Sequence, residues 1–452
     1  MGANGARVHF GVLPFTGSGH LNPLIALGLE LQDRGHKVTF FEKSKIETRI
    51  REAGLDFHAI GTGDSPFKRE KATASGRGLL SELSTLQFNL RRIAHDVGTY
   101  LRETEPAIGK AGVDVLLVNE IALTGPTIAE LLGIPYIVIS TSVPHNFGWN
   151  AYPLFAGYKF RNSWLSILEV GLLEVSAVRM RGPLQWALNA YRARRGLGPV
   201  RGINPSYPPL AQITQLPEFL DLPRSRGLEH FHYTGPFARA GARPQVDFPW
   251  DELDSRPLIY ASLGTTRNAQ LDVLRLIAEA CKDIDAQLVI SLGGRFDPAM
   301  FRRWPGDPLV RRFVPQLELL KRATVVVTHA GPNTAFETLM EGKQMVAIPI
   351  AHDQPAIAAR LARLGIAEVL PIMRLSAQQI REAVVKTMTE SRYREAAVKM
   401  QGRVRALRGV ECAADIIEGY SVRCAVSEIS ITRKAGLKKR CLRSDPSTVR
   451  DE

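Results

Sequence analysis

The sequence predicts an α/β protein in which two doubly wound, mostly parallel sheets follow one another along the chain and face each other across a cleft. Three observations predict it. At 452 residues the chain is too long for one ordinary core. A strand-helix-strand pattern occurs near the start and a second series begins at Leu258. Between the two series, Phe237–Pro257 is rich in Gly, Ala, Arg and Pro without periodicity and reads as a linker.

The elements follow in order. Val8–Pro14 is a short apolar strand of the kind buried on both faces. After the turn Gly17-Ser18-Gly19-His20, apolar residues at Leu24, Leu27 and Leu31 give a helix over Leu21–Arg34, closed by Gly35. Lys37–Phe41 is the next strand, and a parallel pair joined by a helix demands a right-handed crossover. Asp114–Val118 and Tyr136–Ser140 are later strands with a helix through Ile128–Leu132 between them. From Trp149 to Pro209 the pattern turns helical, irregular and aromatic, as expected for an insertion that walls a pocket. The second series has strands at Leu258–Ser262, Leu288–Ser291, Val310–Val314, Thr324–Thr328 and Met345–Ile348. Its helices are Leu271–Cys281, Asn333–Glu341 and Ile357–Leu364, followed by amphipathic helices at Ala377–Thr389 and Tyr393–Arg408. The expected domains are therefore 1–236, a linker 237–257, a second domain 258–420, and a basic, disordered tail 421–452.

Composition narrows the class. Apolar residues at 45% and charged residues at 23% describe a globular chain. No apolar run approaches the roughly 20 residues of a membrane span, and Met1–Arg7 does not read as a signal peptide, so a cytoplasmic location is expected. Cys281, Cys412, Cys424 and Cys441 are spaced for neither a disulfide framework nor a zinc site. The net charge of +13 includes a tail with eight Lys/Arg against four Asp/Glu. Without a nucleic-acid-binding motif, that excess reads as a solvated basic surface, with weak contact to anionic lipid at the inner membrane face as the alternative. No nucleic-acid partner is expected.

Two segments carry chemistry. The first glycine turn lacks the third glycine of a dinucleotide fingerprint, because Asn22 stands there, although Glu42 falls near the place of its ribose acid. His20 sits at a helix N-terminus, which disfavours the imidazolium and leaves a neutral, proton-accepting ring. The second segment, Phe313–Gln354, is denser. The strand Thr324–Thr328 runs into His329-Ala330-Gly331-Pro332 and opens a helix at Asn333-Thr334, a ready site for a pair of phosphates. Glu337, one turn on, can accept from two neighbouring ribose hydroxyls, and Asp353 with Gln354 after the next strand can grip sugar hydroxyls. Helix capping by Asn333, Thr334 and Asp353 is the plain alternative, but it leaves the rest of the set unexplained.

These residues resemble the nucleotide-sugar signature of the UDP-glycosyltransferase superfamily, whose fold is GT-B. The likeness runs over about residues 6–415 and includes Pro14, Gly19-His20, Pro23 and Gly35-His36-Lys37-Val38-Thr39. Asp353–Leu361 and His232–Phe237 look most like bacterial zeaxanthin glucosyltransferases and their macrolide-transferase relatives. The resemblance implies His20 as general base and Phe313 as an aromatic platform for uracil, with Gln316 at the base edge. It implies His329, Gly331, Asn333 and Thr334 at the diphosphate, Glu337 at the ribose, and Asp353 and Gln354 at the sugar. Ser262, Gly264 and Thr265 lie on the glycine turn that faces the phosphates. Family members usually place an Asp after the strand at Asp114–Val118 to hold the histidine. Here Asn119 stands in that position with Glu120 next, so either is the expected partner of His20.

The implied reaction is an inverting, metal-independent transfer of a hexose, glucose first, from a UDP-sugar co-substrate to the hydroxyl of a small hydrophobic alcohol. No cofactor is expected. A hydroxylated carotenoid leads the acceptor list, ahead of macrolides, sterols and flavonoid-like alcohols, with the pocket expected from His145–Tyr158 and the insertion. A nucleotide-sugar epimerase and a non-catalytic sugar-nucleotide binder are the competing classes. Asp283-Ile284-Asp285 mimics a metal-binding triplet but falls at the wrong end of its sheet, and His230-Phe231-His232 lacks a third ligand.

Overall fold

The computed structural model describes residues 7–61, 96–144, 182–200, 210–221, 230–239, 241–265, 270–294, 296–301 and 303–421. The first sheet has β1 His9–Leu13, β2 Lys37–Glu42, β3 Asp56–Ala59, β4 Val115–Asn119, β5 Tyr136–Ser140, β6 Ala211–Thr214 and β7 Phe231–Tyr233. The second has β8 Leu258–Ser262, β9 Gln287–Ser291, β10 Leu309–Arg311, β11 Ala323–Thr328, β12 Gln344–Ala347 and β13 Ala367–Val369. Their orders are β3-β2-β1-β4-β5-β6-β7 and β10-β9-β8-β11-β12-β13, and the strand pairs are parallel.

Parallel strands are covered on both faces, and the alternation along each strand sorts its side chains between two layers. Phe10 and Val12 of β1, with Val115 and Leu117 of β4, join the core formed with Leu24, Leu27 and Leu31 of the Ser18–Asp33 helix. Leu13, Leu116 and Val118 point the other way, against Leu101, Ile108 and Leu188. In each sheet the strand order reverses beside the first strand, between β1 and β4 and between β8 and β11. Ligands of doubly wound sheets bind beyond the carboxyl ends of the strands at that reversal. His20 follows β1 and Asn119 closes β4; Ser262 closes β8 and His329 follows β11. The site residues thus lie where the topology opens a crevice.

Several expectations are revised. The strands β3, β6, β7 and β13 have three or four residues each, too short for a legible alternation. Strand β10 stops at Arg311, so Phe313 and Val314 belong to the following loop. The first helix begins at Ser18, which makes His20 part of its first turn. The stretch 237–257 is packed: Phe237 and Ala242 are buried in the first core and Phe248 in the second. The chain after Arg408 was assigned by sequence to the second domain, but the helix at 409–421 lies on the first. Val410, Ala413, Ala414 and Ile417 are buried there, and the Arg34 guanidinium reaches Asp415 at 2.6 Å and Glu418 at 2.8 Å. The two crossings run side by side. A Cβ on Gly235 would meet Leu407 at 2.8 Å, and one on Gly409 would lie 2.3 Å from the Pro236 carbonyl.

Cys281 is buried at the end of its helix, and burial pushes its thiol up to about 12. Asp283 pairs with Arg381 at 3.6 Å ahead of β9, and His232 Nε2 meets the Tyr420 hydroxyl at 3.1 Å. Among the described residues no three His, Cys, Asp or Glu side chains gather as metal ligands, and no helix is long and apolar enough to cross a membrane. Residues 145–181 and the tail 422–452, which hold the expected acceptor loop His145–Tyr158, most of the insertion, Cys424 and Cys441, lie outside the described residues.

Candidate active site

His20 is half-buried and edge-on to Phe15, with ring centroids 5.2 Å apart. Its Nδ1 lies 2.7 Å from the Thr141 hydroxyl oxygen, and Asn119 Nδ2 donates to the same oxygen at 3.1 Å. Asn119 is fully buried, and its Oδ1 accepts from the Ile121 amide at 3.2 Å, which fixes which end of the amide faces Thr141. A hydroxyl oxygen accepts two hydrogen bonds. Thr141 can therefore take one from Asn119 and one from His20 Nδ1–H, leaving the Nε2 lone pair as the base. The expected contact of Asn119 with His20 is thus indirect, through Thr141.

Glu120, the other expected partner of His20, is buried beside Gln212. Its buried carboxylate meets Gln212 Nε2 at 3.4 Å, and the same nitrogen donates to Ser140 Oγ at 2.9 Å. Consecutive residues at a strand end face opposite sides, so Asn119 and Glu120 diverge.

The donor side is built on glycines. Gly264 adopts φ +75°, and a Cβ there would lie 2.6 Å from His329 Nε2; one on Gly331 would lie 2.4 Å from the same atom. The His329 ring therefore fits between two glycines and donates to the Ser262 main-chain carbonyl. Burial lowers its pKa to about 4, so the ring is neutral near pH 7. Ala330 is held at φ +60°, which turns the chain into the Pro332–Met340 helix. That helix has Gly331 as its N-cap and no side-chain cap, so its first amides face the crevice. Thr334 is buried in its first turn, and Thr265 is half-buried beside Gly264.

Phe313 is 47% exposed and lies over Gly294, where an added Cβ would fall 2.2 Å from the ring. One ring face thus rests on backbone. Gln316, expected at a base edge, is held by protein: its Oε1 accepts from the Tyr260 hydroxyl at 2.9 Å and its Nε2 donates to Glu337 Oε2 at 2.6 Å. The other Glu337 oxygen is paired with Arg243. Gln354 spends its carbonyl on the Ile350 and Ala351 amides at 2.8 and 2.9 Å, shaping the turn before its helix. Asp353 accepts from the Val143 amide, and burial pushes its carboxyl up to about 6.

Beside His20 the two halves meet at Asn333. Asn333 Nδ2 donates to the Gly19 carbonyl at 2.9 Å. Pro23 lies inside the first helix and has no N–H, so residue 23 cannot take the carbonyl four residues back; Asn333 takes it instead. Asn333 Oδ1 accepts from Gln215 Nε2 at 2.9 Å, and Gln215 also holds the Thr141 carbonyl and accepts from the Phe237 amide. The open helix end of the second domain is thereby fixed one residue from His20. Thr141, Val143, Gln215 and Arg243 are the residues that sequence reasoning missed. Only Thr141 left a trace, in the polar run Ser140-Thr141-Ser142 after a buried strand.

The chain is similar to known glycosyltransferases. Residues 227–408 match the family model for UDP-glucoronosyl and UDP-glucosyl transferase, and residues 16–145 match the glycosyltransferase family 28 N-terminal domain. A zeaxanthin glucosyltransferase of Pantoea ananas is 26% identical over 91% of this chain and 95% of its own. The NDP-glycosyltransferase YjiC of Bacillus subtilis is 25% identical over 93% of this chain and 100% of its own. Among solved structures, the calicheamicin glycosyltransferase CalG4 superposes with a TM-score of 0.70 at 22% identity, over 93% of this chain and 99% of its own. VinC in complex with dTDP gives 0.67 at 19% identity, over 92% and 100%.

Proposed function

We propose that this chain, with its GT-B fold, is a UDP-sugar glycosyltransferase of the UDP-glycosyltransferase superfamily and that it transfers a hexose, glucose first, from UDP to a hydroxyl of a small hydrophobic acceptor with inversion and without a metal. The observation that carries the proposal is the Asn333–Gly19 bridge, which sets an uncapped helix N-terminus beside a histidine whose Nδ1 is committed to Thr141. The acceptor oxygen approaches the anomeric carbon from the His20 side and loses its proton to Nε2 as the new bond forms. The departing diphosphate gathers negative charge, which the first amides of the Pro332–Met340 helix meet with hydrogen-bond donors, while neutral His329, its one N–H given to the Ser262 carbonyl, shapes the turn beside it. Asp353 and Gln354 hold the sugar, Glu337 the ribose, and Phe313 the base.

The hydroxylated-carotenoid acceptor draws its support from the zeaxanthin glucosyltransferase relatives. The donor nucleotide is uridine diphosphate, as named in the matched family; the dTDP held by VinC makes thymidine diphosphate sugars the natural control. A cytoplasmic location belongs to the same proposal. Incubation with UDP-glucose and a panel of hydroxylated acceptors tests the function: UDP should appear only when an acceptor is present. Isomerised donor would make the protein an epimerase, and nucleotide binding without turnover would make it a sensor.

A further inference from the structure

The linker supplies a group that the reaction above does not use. Arg243 lies between the two sheets, beside Ala242 of the first core, and its guanidinium pairs with Glu337 Oε1. Glu337 Oε2 is held by Gln316, itself anchored by the Tyr260 hydroxyl. Both carboxylate oxygens are therefore engaged before any nucleotide arrives. The two partners differ in kind. Gln316 opens a helix of the second domain and is fixed at both ends of its amide, whereas Arg243 reaches Glu337 from outside the sheet and is about a quarter exposed. Arg49, whose guanidinium donates to the Ala242 carbonyl at 2.7 Å, adds a second positive charge near Arg243. Ala242, Arg243 and Glu337, with Asn22, Gln215 and Asn333, line a pocket between the domains.

We infer that Arg243 is a specificity-determining residue for the donor's sugar ring, weakening the preference for ribose over 2′-deoxyribose by competing for Glu337 Oε1. This rests on Glu337 being the ribose ligand. A ribose that donates its 2′- and 3′-hydroxyls to the two carboxylate oxygens has to move Arg243 aside. A 2′-deoxyribose, with one hydroxyl to place, can share Oε2 with the neutral Gln316 amide, a weaker competitor than a guanidinium, and leave the ion pair intact. The charged pair opposes one nucleotide class and tolerates the other, so specificity is set by what binding must break.

Titration calorimetry of the full chain with UDP and with 2′-deoxy-UDP tests this. Arg243→Gln is expected to tighten UDP while leaving 2′-deoxy-UDP nearly unchanged, raising the ratio of their affinities about tenfold, the size of one charge-assisted hydrogen bond. Arg243→Lys, which keeps the charge and loses the planar fork, should fall between, and it carries the test if the Gln variant does not fold. An unchanged ratio overturns the inference, as does equal weakening of both nucleotides, which would make Arg243 a phosphate ligand. Glu337→Gln separates the two levels. If it abolishes discrimination while Arg243→Gln changes nothing, only the role of Arg243 fails. If Glu337→Gln leaves UDP binding as in the parent, the ribose role of Glu337 fails with it.

Discussion

At the scale of single residues, the departure from a histidine–carboxylate pair is explained by what surrounds it. Thr141 Oγ1 stands between His20 Nδ1 and Asn119 Nδ2, so an uncharged chain of hydrogen bonds orients the ring. An Asn at residue 119 cannot offset imidazolium charge, but it can hold Thr141, which holds the tautomer. His20→Ala should lower kcat by about 100- to 10,000-fold with UDP affinity unchanged; near-normal turnover would remove His20 as the base. Thr141→Val should lower kcat less, while Asn119→Asp should raise the His20 pKa and move the acid limb of the kcat/KM profile to higher pH. A profile identical to the parent's would show that residue 119 does not act on the base. Asp353 makes a second pH prediction. Burial raises its carboxyl to about 6, so the ionised form, the one proposed to accept from sugar hydroxyls, fills in as pH rises through that value. KM for the UDP-sugar should therefore fall between about pH 5 and 7, and Asp353→Asn should flatten the dependence.

At the scale of elements, the glycine turns and the first helices decide the donor site. Gly264 combines positive φ with contact to His329, so Gly264→Ala must strain the backbone by about 1–2 kcal/mol and displace the ring. Calorimetry should show UDP binding weakened by tenfold or more. His329 also ties this element to stability. Its folded pKa, about 4, lies below the ordinary value, so its contribution is complete above about pH 6.5 and is lost as pH falls toward 4. The urea midpoint should drop over that interval, and His329→Asn should reduce the drop. The glycine turn, the strand before His329 and the helix at Asn333 were legible because each leaves a local mark: a small-residue turn, an apolar run, a helix start. The strands β3, β6, β7 and β13 were not, since three or four residues carry too little alternation to separate strand from loop.

At the scale of the whole molecule, the domains are joined by buried polar contacts as well as by chain. Arg360 of the second domain pairs with Asp221 of the first at 2.8 Å with both side chains nearly inaccessible, and Tyr233 donates to the other Asp221 oxygen at 2.8 Å. Removing one member leaves the other charge buried, so Arg360→Met should cost about 3–5 kcal/mol and lower the Tm. A melt indistinguishable from the parent's would mean that water reaches Asp221. The 409–421 helix adds the second tie, returning to the first core beside the outgoing strand at Gly235. Its amphipathic pattern looks like that of the helices before it, because periodicity records that a helix has an apolar face and not which core receives it.

By itself, the sequence determined two doubly wound sheets in succession, the glycine turn that carries His20, and the strand, small-residue turn and helix start around His329 and Asn333. Those features depend on neighbours within a few residues, where spacing and residue type set the outcome. Only the tertiary structure decided that Thr141 stands between His20 and Asn119, that Arg243 sits on Glu337, and that Asn333 closes onto the carbonyl freed by Pro23. Each of these joins residues more than 90 positions apart, except the pairs Asn119–Thr141 and Pro23–Gly19. Such contacts depend on strand order and on which face a side chain takes, and neither is written in local spacing.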